Sequence, residues 1–234
     1  MTLSQYLLEL PRPLFGKPSK RLYDKLQAQD FPHIHEELIR QLEELLELPF
    51  VSLSGSGNLC FIQSDEILPE FRTSFHQLHL LDAIYASSLQ TNFSNIASGL
   101  FPVHSEPDTF WKLTEYGREL RLLHSLSFES FEINTPFLRS PDSIKAGRIK
   151  SDFPVFQEND ETETGSIWIN SNECFTEVPQ AAWELRVHGQ QPAREASVLL
   201  QDSHLRPEHI KEYQKCLYAL KESLRPIKAI TDAL

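Results

Sequence analysis

From Pro207 onward, Ile210, Tyr213, Leu217, Leu220, Leu224 and Ile227 recur three or four residues apart. That spacing puts them on one stripe of an α-helix. Pro207 suits the first turn, where its missing N–H costs nothing, and Glu208 places favourable negative charge at the same end. A stripe this regular has to be covered by other apolar surface. Its heptad-like register spans barely three turns beyond the start, so packing against the chain's own core is expected rather than a dimeric coiled coil. Pro226 is expected to kink or fray the helix end.

Upstream the same periodicity recurs in shorter pieces. Residues 3–10 form a short helix ended by Pro11 and Pro13, and Ser19 caps a second with Leu22, Tyr23 and Leu26 inward. From Ile34 to Leu48, Leu38, Ile39, Leu42, Leu45 and Leu46 line one face among glutamates until Pro49. Phe50–Leu53 and Leu59–Gln63 flank Ser-Gly-Ser-Gly-Asn and read as a hairpin. A helix is predicted from about Glu70 to Ser88, and another, capped by Asp108, runs to about His124. Gly117 inside that helix costs about 1 kcal/mol relative to alanine, which points to a close helix crossing.

Residues 129–164 carry turn-forming pieces and no periodicity, and the acidic run Gln157–Thr164 reads as a hairpin tip or mobile loop before a strand at Ser166–Ile169. Pro179 starts a helix with Ala182, Trp183 and Leu185, ended by His188-Gly189, and a short helical segment follows from Pro192 to Leu200. The fold class expected is α+β, mainly α with small β elements. The organisation expected is a helical and hairpin lobe at 1–64, then a domain at 65–234 with an irregular insert at about 129–164.

Charge constrains function. The 234 residues hold 22 Lys plus Arg against 33 Asp plus Glu, a formal charge of −11, whereas DNA affinity comes from neutralising phosphates. Residues 51–110 contain Arg72 as their sole cation, while Arg139, Lys145, Arg148 and Lys150 cluster around Asp142. Any basic surface is therefore local. No apolar run approaches the ~20 residues that cross a bilayer. The opening residues lack the positive flank and cleavage site of a secretory signal, so no membrane association and a cytoplasmic location are expected. Cys60, Cys174 and Cys216 are odd in number and far apart, which argues for small core residues over disulfides or a thiolate metal cluster.

No complete catalytic or cofactor motif is present. Ser54-Gly55-Ser56-Gly57 is followed by a strand-like run, not the helix that a dinucleotide or methyl-donor site needs, and no Gly-Lys-Ser/Thr occurs. His33 and His35 lack a second ligand pair at zinc spacing, and His76 and His79 suit helix packing better than ligation. Asp142, Lys150 and Asp152 stand in no catalytic frame. Trp111, Trp168 and Trp183 are expected in the core, with base contact as a secondary role. The expectation is no catalytic residue, no metal and no cofactor in this chain.

Two stretches, residues 85–126 and 167–226, carry a resemblance. The first has Phe101-Pro102 and then Phe110, Leu113, Gly117, Leu120, Leu123 and His124 on one helix; the second has Ile169-Asn170, Phe175, Val178-Pro179, Trp183, Gly189 and the Ile210, Tyr213 helix. In order and spacing they resemble the carboxy-terminal target-recognition region of type ISP restriction-modification enzymes and related large DNA adenine methyltransferases. The chain departs from that pattern at Gly189-Gln190-Gln191-Pro192-Ala193-Arg194 and around Phe101-Pro102. The resemblance implies a DNA-specificity module that binds double-stranded DNA, beside a methyltransferase domain or subunit that holds S-adenosylmethionine and flips the adenine. The residues expected to meet DNA are Arg139, Lys145, Arg148, Lys150, Gln190, Gln191 and Arg194, since arginine and the carboxamides match guanine and adenine edges. The negative charge and amphipathic helices favour the alternative, a protein-interaction module derived from such a domain.

Leu217 and Leu220 stand at the centre of the last stripe. Replacing either with alanine should cost roughly 2–5 kcal/mol in chemical denaturation. Unchanged midpoints for both variants would show that the helix is peripheral.

Overall fold

Helical periodicity dominates the chain, and the computed structural model is accordingly an α+β fold with more helix than strand. It describes residues 2–17, 32–52, 73–90, 106–128, 138–139, 153–159, 161–170, 173–200 and 206–234. The helices are α1 (Leu3–Glu9), α2 (Glu36–Leu46), α3 (Gln77–Ser88), α4 (Pro107–His124), α5 (Gln180–Glu184), α6 (Pro192–Ala196) and α7 (Pro207–Ala233). Short 3-10 turns lie at Arg12–Phe15 and Ser197–Leu200. The strands are β1 (Leu138–Arg139), β2 (Val155–Glu158), β3 (Thr164–Trp168) and β4 (Cys174–Pro179). The chain divides into two compact units, one of residues 1–9, 20–119 and 229–234, the other of residues 10–19 and 120–228.

The first unit is organised on α3. Every residue from Leu80 to Ser88 is buried, which is what a helix surrounded on all sides requires. Its two buried serines are satisfied within the helix: Ser87 Oγ donates to Ala83 O at 2.9 Å and Ser88 Oγ to Tyr85 O at 2.7 Å. Helix α4 approaches it through Gly117, where a Cβ would overlap the carbonyl oxygen of Asp82. Thr114 Oγ1 supports the approach with bonds to His79 O and Phe110 O. Phe75 joins this core edge-on to Phe50 and Phe110.

Helix α3 begins at Gln77, later than its apolar spacing suggests. Phe75 is held extended, donating its N–H to Pro49 O and accepting from Val51 N, and His76 then caps the helix by accepting from His79 N. The predicted hairpin around Ser54–Asn58 and the helix after Ser19 lie outside the described residues. Asp108 lies in the first turn of α4 instead of capping it.

The second unit combines an antiparallel sheet of order β1-β4-β3-β2 with α5, α6 and most of α7. Phe175 and Ile167 fill its inner face, and the Phe175 ring meets Tyr213 of α7 at 4.9 Å. The acidic run is the tip joining β2 to β3, as one of its two sequence readings had it. Strands β2 and β4 bracket the single strand expected there. Residues Thr176 and Glu177 together oppose Ser166, a β-bulge in which Glu177 takes a φ of 61°. Helix α5 stops at Glu184, four residues before the expected end, because the chain turns extended at Leu185. Helix α7 continues past Pro226 to Ala233, and both Leu217 and Leu220 on its stripe are buried.

Gly117 gives a direct test of the helix crossing. Alanine would gain about 1 kcal/mol of helix propensity, but its methyl group meets backbone that cannot rotate away, an overpacking cost of roughly 1–3 kcal/mol. A net loss of stability is expected for Gly117→Ala in urea denaturation. A midpoint equal to or above that of the parent would show that α3 and α4 separate at little cost.

Candidate nucleic-acid interface

Of the residues expected to meet DNA, Arg139 falls in β1, where it is paired in register with Cys174. The antiparallel pairing continues that row through Trp168 to Val155. Lys145, Arg148 and Lys150 lie outside the described residues. Gln190 and Gln191 lie in the connection between α5 and α6, and Arg194 lies in α6 itself.

That connection is a tight turn. Val187 N donates to Gln190 O at 2.9 Å and Gln190 N to Val187 O at 3.1 Å. Both central residues have positive φ, 50° at His188 and 80° at Gly189, which is the sign pattern of a type I′ turn. Glycine adopts that backbone freely, whereas histidine is strained there. Gln191 Nε2 donates to Trp183 O at 2.6 Å, so its amide holds the turn's base to α5. Arg186 Nη1 donates to Gly189 O at 3.1 Å and spans the turn from outside. Gln190, Arg186 and Arg194 are exposed.

His188 anchors the turn from below. Its ring is buried, and burial pushes its pKa down to about 4. His124 is fully enclosed; burial, and then the neighbouring His188, push its pKa down to about 3. His124 Nε2 stands 3.0 Å from Ser223 Oγ, and that hydroxyl sends its one proton to Ala219 O at 2.6 Å. Ser223 can therefore only accept from the ring, which assigns the Nε2–H tautomer to His124.

Elsewhere in the second unit, a groove of about 520 Å³ opens at the β2–β3 tip, lined by Gln157, Glu158, Glu161, Ser166 and Glu177 among others. Its carboxylates repel phosphate. Trp168 is half-buried, with Nε1 donating to Gln157 Oε1, and Trp183 is buried against the Phe156 ring. In the first unit, His76 and His79 stack at 3.5 Å and His79 meets Trp111 edge-on, the packing role their spacing suggests. No group of three potential metal ligands occurs among the described residues.

Sequence reasoning missed Arg186 because it extended α5 through His188. The signal available was the His-Gly pair itself, which between Val187 and Gln190 marks a two-residue turn.

A family model described as the type ISP C-terminal specificity domain matches residues 82–198, half of the chain. No curated protein and no solved structure gives a significant match.

The two histidines make acid stability a measurable consequence of this geometry. Unfolded, each takes a proton near its ordinary pKa of about 6.5. Folded, they stay neutral until pH about 3 and about 4. The unfolded state therefore binds more protons as pH falls below about 6.5, and stability should fall there by up to roughly 1.4 kcal/mol per pH unit per histidine. His188→Asn keeps a side chain that tolerates positive φ and removes one titrating group. Urea midpoints at pH 7 and pH 5 should differ less for this variant than for the parent; an equal drop would contradict the assignment.

Proposed function

The chain belongs to the type ISP C-terminal specificity domain family, and from that premise we propose that it is the sequence-specific DNA recognition module of a restriction-modification methyltransferase. The observation that carries this reading is the extent of the family match, which includes α4, the sheet and the Val187–Gln190 turn. The module has no catalytic site of its own. A cytoplasmic methyltransferase domain or subunit supplies S-adenosylmethionine and flips the adenine, and this chain supplies the choice of sequence.

Recognition divides into two kinds of contact. Phosphate contacts fix register without sequence information, and side chains on base edges read sequence. Arg139, Lys145, Arg148 and Lys150 form the local basic segment that meets phosphate, and Gln190 approaches from the α5–α6 turn and Arg194 from α6. Gln191 is engaged with Trp183 and supports the turn. The carboxylates lining the groove beside Glu158, Glu161 and Glu177 favour a second reading, a protein-interaction module whose partner is basic.

Titration of the chain and its fourfold Arg139, Lys145, Arg148 and Lys150 alanine variant against a randomised duplex pool at several salt concentrations separates the readings. The parent should bind at least in the non-specific range of ~10⁻⁴–10⁻⁶ M, and each lost phosphate contact should reduce the salt slope by about 0.9. Identical slopes and identical selected sequences would remove the basic segment from the mechanism. Absence of binding at low salt would favour the interaction module.

A further inference from the structure

We propose that Arg186, at the start of the Val187–Gln190 turn, reads a guanine and that Arg194, on the helix α6 that follows it, contacts a phosphate; the inference rests on the DNA-recognition reading above. The turn has the properties a reading element needs. Two backbone bonds close it, the Gln191 amide ties its base to Trp183, and the buried His188 ring roots it in the core. A side chain carried there loses little further freedom on binding.

Arg186 and Arg194 differ in how they are held. The bond from Arg186 Nη1 to Gly189 O fixes the plane of that guanidinium against the turn. Its Nε and Nη2 hydrogens remain as a parallel donor pair, the arrangement that matches guanine O6 and N7. Arg194 is exposed on α6, and its guanidinium has no hydrogen-bond or ion-pair partner among the described residues. A phosphate asks for charge more than for a fixed plane, so the unanchored arginine suits it.

Two further observations favour close approach of a polyanion. Glu195, next to Arg194 in sequence, is paired with Lys17 at 3.8 Å, which offsets its charge. Space beside the turn is open, since a Cβ on Gly189 would meet nothing within 4 Å. Gln190, exposed between the two arginines in sequence, completes a polar tip with no carboxylate on it.

The test compares the whole chain with Arg186→Ala, Arg186→Lys and Arg194→Ala, each selected against a randomised duplex pool at several salt concentrations. The parent should enrich a site containing guanine. Arg186→Ala and Arg186→Lys should lose preference for one guanine by about 5- to 150-fold. The lysine variant should keep the parent's salt slope, because it retains the charge and loses only the planar fork. Arg194→Ala should weaken all sequences alike and lower the salt slope by about one. Both side chains lie at the surface, so unchanged thermal midpoints would exclude misfolding as the cause. If Arg186→Ala and Arg186→Lys select the parent's sequence, or the parent selects none with guanine, the assignment of Arg186 is overturned while DNA recognition stands. An unchanged salt slope for Arg194→Ala overturns its phosphate role. If the parent binds no duplex at low salt, the inference and the reading beneath it fail together.

Discussion

The second unit depends on one face of α7, which does more than cover apolar surface. Tyr213 places its ring on Phe175 and donates its hydroxyl to Ala193 O at 2.7 Å. Cys216 Sγ donates to Leu14 O, Lys215 Nζ to Leu126 O, and Ser223 accepts from the His124 ring. Three of these partners are carbonyl groups on short or irregular segments that no sheet or long helix could satisfy. A buried carbonyl left without a donor costs about 1–3 kcal/mol. The helix thus supplies both the apolar stripe and the polar tips that let non-repetitive chain pack around it. Burial pushes the Tyr213 hydroxyl and the Cys216 thiol well above their ordinary ranges, so both remain neutral donors.

The α5–α6 turn inherits its position from that face on both sides. After the turn, α6 is held through Ala193 by Tyr213. Within it, His188 lies beside His124, which in turn bonds Ser223. Net charge of −11 does not forbid a polyanion here, because exposed charges more than about 8–10 Å apart are largely screened at physiological ionic strength. Local balance decides, and here Lys17 pairs with Glu195 while Arg186 and Arg194 are exposed.

The parts of the fold legible in the sequence were those where one physical requirement acted alone. The α7 stripe follows from helical spacing, and Gly117 signals a close crossing because no other reason explains an interior glycine. Strand β2 was hidden because Val155 to Glu158 is four residues long and mostly exposed, leaving no clear alternation. Strand β4 was hidden by its bulge: Glu177 breaks the period of two between the buried Phe175 and Val178. The start of α3 depended on a backbone pairing between Phe75 and the segment 49–51, distant in sequence. Helix α7 outran Pro226 because one missing N–H is a local loss, and the buried Ile230 lies on the turn beyond it. At the candidate site, Gln190 and Arg194 were visible as polar residues after a turn glycine, whereas Arg186 required knowing where α5 ends.

His188 shows why the turn is built as it is. Glycine at that position would adopt a φ of 50° without strain, so dihedral geometry alone gives no reason for an imidazole. What the ring adds is buried contact beside His124, beneath a turn whose other central residue faces open space. Backbone strain and the desolvation of a polar ring are both offset by packing that only the correct turn conformation allows. Alternative conformations of the loop would withdraw His188 and leave its space in the core unfilled. The core therefore selects one shape for an exposed element, and a recognition surface held in one shape spends less of its contact energy on ordering when it binds.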